Sequence, residues 1–349
     1  VKRLAFAIPG DPATLTGGYA YDRRIIGELQ RRGWTVDLAG LGEGFPWPDA
    51  TQHAAATMQL RALPGDWPVV IDGLAFGVLP EAARALAARR SVVALVHHPL
   101  ALEGGLTDDE VTRLAASERV ALAAATRVIA TSRTTADLLR RDYAVPAERI
   151  DVVVPGTDRQ PFTSGGDGAV VQFLSVAAIG ERKGFETLVE ALAPLKGLSW
   201  HLTIAGDRQR DPTTVARLDA AIARHGLQQR IACIGAVPPE RLGPLYQGAD
   251  LFVLASVYEG YGMAFAEALA CGLPVIGTTG GAIPEVVPPS AGRLVPPADV
   301  AALTEALRAL IGDRALRQRL AAGAREAARA LPSWEASGVR FAEILDRLG

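Results

Sequence analysis

Cysteine is nearly missing from this chain. Its two, Cys233 and Cys271, are too few for a disulfide framework. Both stand in apolar context, which reads as reduced, buried thiols in a cytoplasmic protein. Long hydrophobic runs are missing too: no stretch of about 18 uncharged apolar residues occurs, so no membrane span is expected. The basic start Lys2-Arg3 leads into an apolar run too short for a signal peptide, and Pro9-Gly10 follows at once, so this run reads as a first strand. Neither sign of charge dominates. There are 36 Lys+Arg against 38 Asp+Glu, a net charge of -2, and the first 160 residues hold 18 and 19 of them. That balance excludes a gross attraction to nucleic acid or anionic lipid. The local group Arg23, Arg24, Arg31 and Arg32 still leaves open a peripheral contact with the inner face of a membrane. No repeat of 20–50 residues is present. No Asp-x-Asp or similar acidic cluster follows an expected strand, and no His/Cys set has ligand spacing, so no metal is expected.

What is there is a chain rich in apolar residues, 49% of 349, with 21% charged, enough to bury sizeable cores. At roughly 100–200 residues per domain, two domains are expected. Short apolar runs alternate with longer amphipathic stretches from end to end. Residues 3–9, 35–41, 69–76, 91–98, 127–132 and 150–154 read as strands, with helical patterns such as 19–32 and 107–125 between them. A second series reads as strands at 170–177, 199–205, 230–235, 250–256 and 274–278. Continuous apolar strands joined by helices imply parallel sheets covered on both faces. The non-periodic, Pro- and Gly-rich stretch around 156–169 reads as a linker. The expected layout is a doubly wound α/β domain over 1–155, the linker, a second such domain over 170–331, and a helix over 332–349 that crosses back to the first. Ligands of such sheets bind beyond the carboxyl ends of the strands.

The most informative segment runs from Glu259 to Val286. It opens Glu259-Gly260-Tyr261-Gly262-Met263-Ala264, and Glu267 lies about two turns into the helix that follows. Glycines there let the backbone approach a ligand closely, and a helix beginning near Gly262 presents free N–H groups to a phosphate. Two carboxylates about 12 Å apart along a helix could hold hydroxyls at both ends of one elongated polar ligand. A lone helix glutamate is most often a solvated one, but Ala266, Ala268 and Leu269 make this helix mostly apolar.

This segment strongly resembles the Glu-x7-Glu signature of glycosyltransferase family 4, with its Gly-Leu-Pro-Val-Ile strand and Gly-Gly-x-x-Glu-Val turn. The resemblance implies the two-domain GT-B fold, in which two Rossmann-like domains face a central cleft. It implies a retaining transferase that moves a hexose from a nucleotide sugar to a hydroxyl acceptor. It further implies that Glu259 binds the donor's sugar hydroxyls, Glu267 its ribose, and the amides of Gly260, Tyr261, Gly262, Met263 and Ala264 the sugar and phosphates.

A second match is Ala177 to Gly184, where Arg182-Lys183-Gly184 follows a strand. Two adjacent cations there suit a diphosphate. The chain has only three lysines, Lys2, Lys183 and Lys196, so a lysine at this point is unusual for its composition. The family's usual arginine is replaced by Ala177-Ala178, and Arg182 stands in for it.

In the first half, Gly17 and Gly18 form a loop similar to the family's Gly-Gly loop, expected to meet a phosphate or the acceptor. It is not a Gly-x-Gly-x-x-Gly fingerprint, which counts against a nicotinamide dehydrogenase. His97 and His98 close the fourth strand. His97 aligns with the family's histidine near the acceptor and is expected, with Lys183 and Glu259, to carry the chemistry. His98 and Glu103 are expected to face the acceptor. No cofactor and no metal are implied. The rivals are a GT-B phosphorylase or epimerase, or a non-catalytic sugar-nucleotide binder, against which the intact Glu259, Glu267 and Lys183 argue.

Overall fold

The computed structural model describes residues 2–163 and 169–348, so residues 164–168 of the expected linker lie outside the described residues. The chain divides into two compact units, Val1–Gly156 with Pro332–Gly349, and Thr157–Leu331.

The first unit is built on six parallel strands, β1 (Arg3–Ile8), β2 (Thr35–Gly40), β3 (Val69–Asp72), β4 (Val92–Val96), β5 (Arg127–Ala130) and β6 (Ile150–Val152). Their order is β2-β1-β3-β4-β5-β6. The central strands are unbroken apolar runs because both faces are covered: Val69, Val70, Ile71 and all of Val92–Val96 are buried. One face packs with Phe76, Leu79, Leu86, Leu122 and Leu139 in a single core. The order reverses between β1 and β3, so a crevice opens beyond the carboxyl ends of those two strands. The helix Gly17–Arg31 starts there, capped by Thr16, whose side chain accepts from the amide of Tyr19. The helix Trp334–Asp346 belongs to this same unit and lies on Gly17–Arg31, with Trp334 edge-on to Tyr21 at 5.9 Å between centroids.

The second unit has β7 (Val171–Val176), β8 (Trp200–Ala205), β9 (Ile231–Gly235), β10 (Leu251–Val253), β11 (Val275–Thr278) and β12 (Gly292–Val295), in the order β12-β11-β10-β7-β8-β9, again parallel. The reversal falls between β7 and β10. Phe173, Trp200, Phe252 and Phe265 are among its largest fully buried side chains. Cys271 is buried, whereas Cys233, on the sheet-edge strand β9, is only half-buried.

Three elements differ from the sequence reading. The third strand ends at Asp72, and Gly73–Phe76 is a helical turn; Asp72 caps it by accepting from the amide of Leu74 at 2.8 Å. A four-residue apolar run carries no period that separates a strand from a buried turn. β10 stops at Val253; the amide of Leu254 still donates to Ile276 O at 3.1 Å, and by Val257 the chain bonds instead to Arg182 O in the loop beyond β7. β12 was not expected; it is four residues long and lies between proline-bearing loops, too short for a pattern.

Candidate active site

The second unit brings Arg182, Lys183 and Glu259 together at its switch point. Arg182 and Lys183 occupy a single 3-10 turn beyond β7, and Glu259 lies in the loop beyond β10. Lys183 Nζ is 2.6 Å from Glu259 Oε1. Arg182 Nη1 is 3.3 Å from Oε2 and donates to the carbonyl of Tyr258 at 2.6 Å. Ser256 is the third donor to the Glu259 carboxylate, joining Lys183 on Oε1 at 2.6 Å. Burial would raise the pKa of Glu259, but Lys183 and then Arg182 outweigh it and hold the group at about 2. It is therefore an anion at any working pH, with two cations against it.

The backbone fixes this arrangement. The amide of Val257 donates to Arg182 O at 2.8 Å, and the amide of Ala282 donates to Glu259 O at 2.8 Å. Three loops, beyond β7, β10 and β11, are thus tied to one another. Two glycines permit the approach. A Cβ on Gly184 would lie 2.1 Å from Ala255 O, and one on Gly281 2.2 Å from Glu259 O, and both residues have positive φ.

The helix Met263–Ala270 follows, with Gly262 as its cap at φ 97°. The amides of Phe265 and Ala266 bond to Gly262 O, and those of Met263 and Ala264 have no acceptor among the described residues. Gly260 and Tyr261 are buried in the loop before it. Glu267 is the fifth residue of this helix, just over one turn in rather than two, because the helix begins only at Met263. Its Oε2 accepts from the hydroxyl of Tyr246 at 2.8 Å. Burial pushes its pKa up to about 7, against the opposing hydrogen bond from Tyr246. The two glutamates of the motif thus differ in charge behaviour: one is locked as an anion, the other is poised to change.

The first unit gathers a second cluster. His97 follows β4, and a Cβ on Gly18 would lie 3.3 Å from its ring, so the Gly17-Gly18 loop and His97 are neighbours. His98 is turned instead toward Glu103, with Nε2 3.1 Å from Oε2. His97 Nε2 lies 3.3 Å from Asp22 Oδ1 and 3.3 Å from Asp72 Oδ2. In the sequence no His/Cys set at ligand spacing and no acidic cluster after a strand stands around this histidine. The structure adds what spacing does not show: residues 22, 72 and 97 come from a helix and two strand ends and converge only on folding. Their ligand-type atoms all lie within 4.8 Å of one another. One signal was available: Asp22 shares its helix face with Ile25, Ile26 and Leu29, and a carboxylate on an apolar face asks for a partner. Ser256 and Tyr246 gave no such signal. The four arginines of the basic group are engaged within the unit. Arg23 donates to Thr14 O at 3.1 Å, Arg24 lies over the Trp334 ring at 5.1 Å, and Arg31 and Arg32 pair with Glu28.

Comparison with known proteins accounts for both units. The model of the group 1 glycosyl transferases matches residues 157–327, and that of glycosyltransferase family 4 matches residues 21–160. The chain is 32% identical over 287 residues to a D-inositol 3-phosphate glycosyltransferase of Xylanimonas cellulosilytica, covering 74% of this chain and 67% of that relative. It is 29% identical over 337 residues to an MMP alpha-(1->4)-mannosyltransferase of Mycolicibacterium hassiacum, covering 87% and 76%. Among solved structures, sucrose-phosphate synthase from Thermosynechococcus elongatus superposes with a TM-score of 0.86 at 22% identity, over 100% of this chain and 99% of that one. Anabaena HepE in complex with UDP and glucose gives 0.78 at 19% identity, over 98% and 99%. With two six-stranded Rossmann-like units and these relatives across both, the chain belongs to glycosyltransferase family 4 and is a glycosyltransferase of the GT-B fold.

Proposed function

We propose that this glycosyltransferase moves a hexose from a nucleotide sugar to a hydroxyl acceptor with retention of the anomeric configuration. The observation that carries the reading is the cluster of Lys183, Arg182 and Glu259 in the loops around a helix N-terminus whose first two amides have no acceptor among the described residues. A departing diphosphate develops negative charge, and fixed cations with oriented amides offset it without reorganising. Glu259 accepts hydrogen bonds from the sugar, Glu267 from the ribose. His97 in the first unit faces the acceptor. The C1–phosphate oxygen bond breaks, the bond from C1 to the acceptor oxygen forms on the same face, and the acceptor proton goes to the departing diphosphate.

No divalent metal is required by this scheme, and peripheral attachment to a membrane is not needed for it. Anabaena HepE has been solved with UDP-glucose, so UDP-sugars head the panel of donors, followed by GDP- and ADP-sugars. Nucleoside diphosphate release, measured with excess chelator present, should match the rate without it, and the anomeric proton of the product should keep the donor's configuration. Activity abolished by chelator and restored by magnesium or manganese would overturn the metal-free scheme; inversion would overturn retention. Lys183→Ala should slow release by about 100-fold or more, as for loss of one strong transition-state contact. His97→Ala should lower turnover and leave donor affinity nearly unchanged, whereas loss on His98→Ala alone would give the role to His98.

A further inference from the structure

Asp22 is fully buried, and neither of its carboxylate oxygens has a hydrogen-bond partner. A buried carboxylate in that state is costly unless a charge answers it. The two arginines next in the chain do not: Arg23 reaches back to Pro12 O and Thr14 O, and Arg24 lies over Trp334. What faces Asp22 is His97 Nε2 at 3.3 Å, and Asp72 Oδ2 approaches the same nitrogen at 3.3 Å. Asp72 is itself fixed, since its other oxygen holds the amide of Leu74. Two carboxylates against one ring nitrogen decide its state. A bare lone pair on Nε2 would face oxygen lone pairs on both sides, so Nε2 carries the proton, and two buried carboxylates with no other cation beside them among the described residues are answered only if the ring is charged as well.

The ring is held on its remaining sides as well. Tyr21 meets it edge-on at 5.3 Å, and the Tyr21 hydroxyl is committed to Val153 O at 2.9 Å. The backbone carbonyl of His97 accepts from Thr131. His98, next in the chain, is turned to Glu103. Nδ1 bonds to none of the described residues, and 21% of the side chain is exposed.

We propose that Asp22 and Asp72 are positioning residues that hold His97 as a doubly protonated imidazolium, with Nε2–H turned into the fold and Nδ1–H presented as a fixed cationic donor. This rests on the reading above that His97 serves the transfer. It deepens that reading in one respect. An imidazolium has no lone pair to take the acceptor's proton, so His97 acts by donating to an oxygen of the substrates, and the proton leaves with the diphosphate. Burial would lower the pKa of His97, but the two carboxylates raise it to about 10, in line with this state. Burial first and Asp72 second raise the pKa of Asp22, and the contact with His97 and its charge oppose them.

The test is nuclear magnetic resonance of the full chain labelled in its histidine rings, with the His97 signal assigned from His97→Gln. In the unaltered protein His97 should remain doubly protonated past pH 8. Asp22→Asn and Asp72→Asn should each bring its midpoint about 1–3 pH units lower. The alkaline fall of the transfer rate should move to lower pH with it, while affinity for nucleoside diphosphate stays constant. If one variant fails to fold, the other carries the test. A midpoint near 6.5 in the unaltered protein, or no change in either variant, would overturn the proposal. So would calorimetric binding of Zn²⁺ at micromolar concentration that both variants abolish, because the cluster would then be a metal site. Should His97→Ala leave turnover intact, the role of His97 in transfer fails on its own, and the imidazole titration still decides what Asp22 and Asp72 do.

Discussion

The two glutamates of the motif are the same residue type eight positions apart, and their surroundings give them different work. Glu259 is held as an anion between Lys183 and Arg182. Glu259→Gln removes the charge that two cations answer, and it should damage sugar transfer far more than nucleotide binding, with a loss of about 1–3 kcal/mol in the transition state. Glu267→Ala should instead weaken the nucleoside diphosphate itself. Calorimetry with the diphosphate alone separates the two, and equal effects of both substitutions on that ligand would refute the division. Glu267 also sets a pH dependence. Its pKa is raised to about 7, so below that value the folded chain carries it protonated. Ribose hydroxyls donate best to the ionised form, so binding draws the proton off, and affinity rises as pH climbs through 7. The expected gain is about tenfold between pH 6 and pH 8. Titration of Glu267→Gln supplies the baseline from the phosphates alone; identical slopes in the two proteins would exclude Glu267 from the ribose site.

At the scale of elements, the donor cluster is made by three loops held at backbone distance. The parallel bridge between Glu259 and Gly281 joins the loop beyond β10 to the loop beyond β11, and no side chain fits between them. Gly281 also has φ 64°, so an alanine there meets both strain and a carbonyl at 2.2 Å. Gly281→Ala should cost about 2–3 kcal/mol of stability. It should also lower activity in the surviving folded fraction, because the carbonyl that must move belongs to Glu259. Chemical denaturation gives the first quantity, and transfer rate per folded molecule the second. Unchanged stability would show that the loops can part without loss.

On the scale of the whole molecule, residues 332–349 belong with 1–156 although 175 residues of the other unit intervene. Trp334 is buried against Tyr21, which in turn meets His97. Trp334→Ala should destabilise the first unit by about 3–5 kcal/mol, as for other large buried aromatics. It should loosen His97 while leaving nucleoside diphosphate affinity intact. A drop in that affinity equal to the drop in turnover would contradict the assignment of donor and acceptor to separate units. The fragment 157–331, which contains Arg182, Lys183, Glu259 and Glu267, should bind the diphosphate by itself. Binding seen in the full chain and absent from that folded fragment would sink the assignment.

What the sequence determined by itself was set by local chemistry. Continuous apolar runs fixed ten of the parallel strands to within a few residues, since a strand covered on both faces has nothing polar to carry. The Glu259-to-Val286 segment identified the family, because its glycines and glutamates are constrained over a short stretch of chain. The limits were local as well: Gly73–Phe76 and β12 are too short for a period to speak. Tertiary structure alone decided the partners. Ser256 beneath Glu259, Tyr246 on Glu267, and Asp22 with Asp72 around His97 are pairings across 3 to 75 positions. Nothing in the order of residues states such a pairing. It arises because the parallel sheets reverse their strand order, bringing the ends of distant strands and the start of a helix to one point, where burial leaves each carboxylate only the partner that folding has placed beside it.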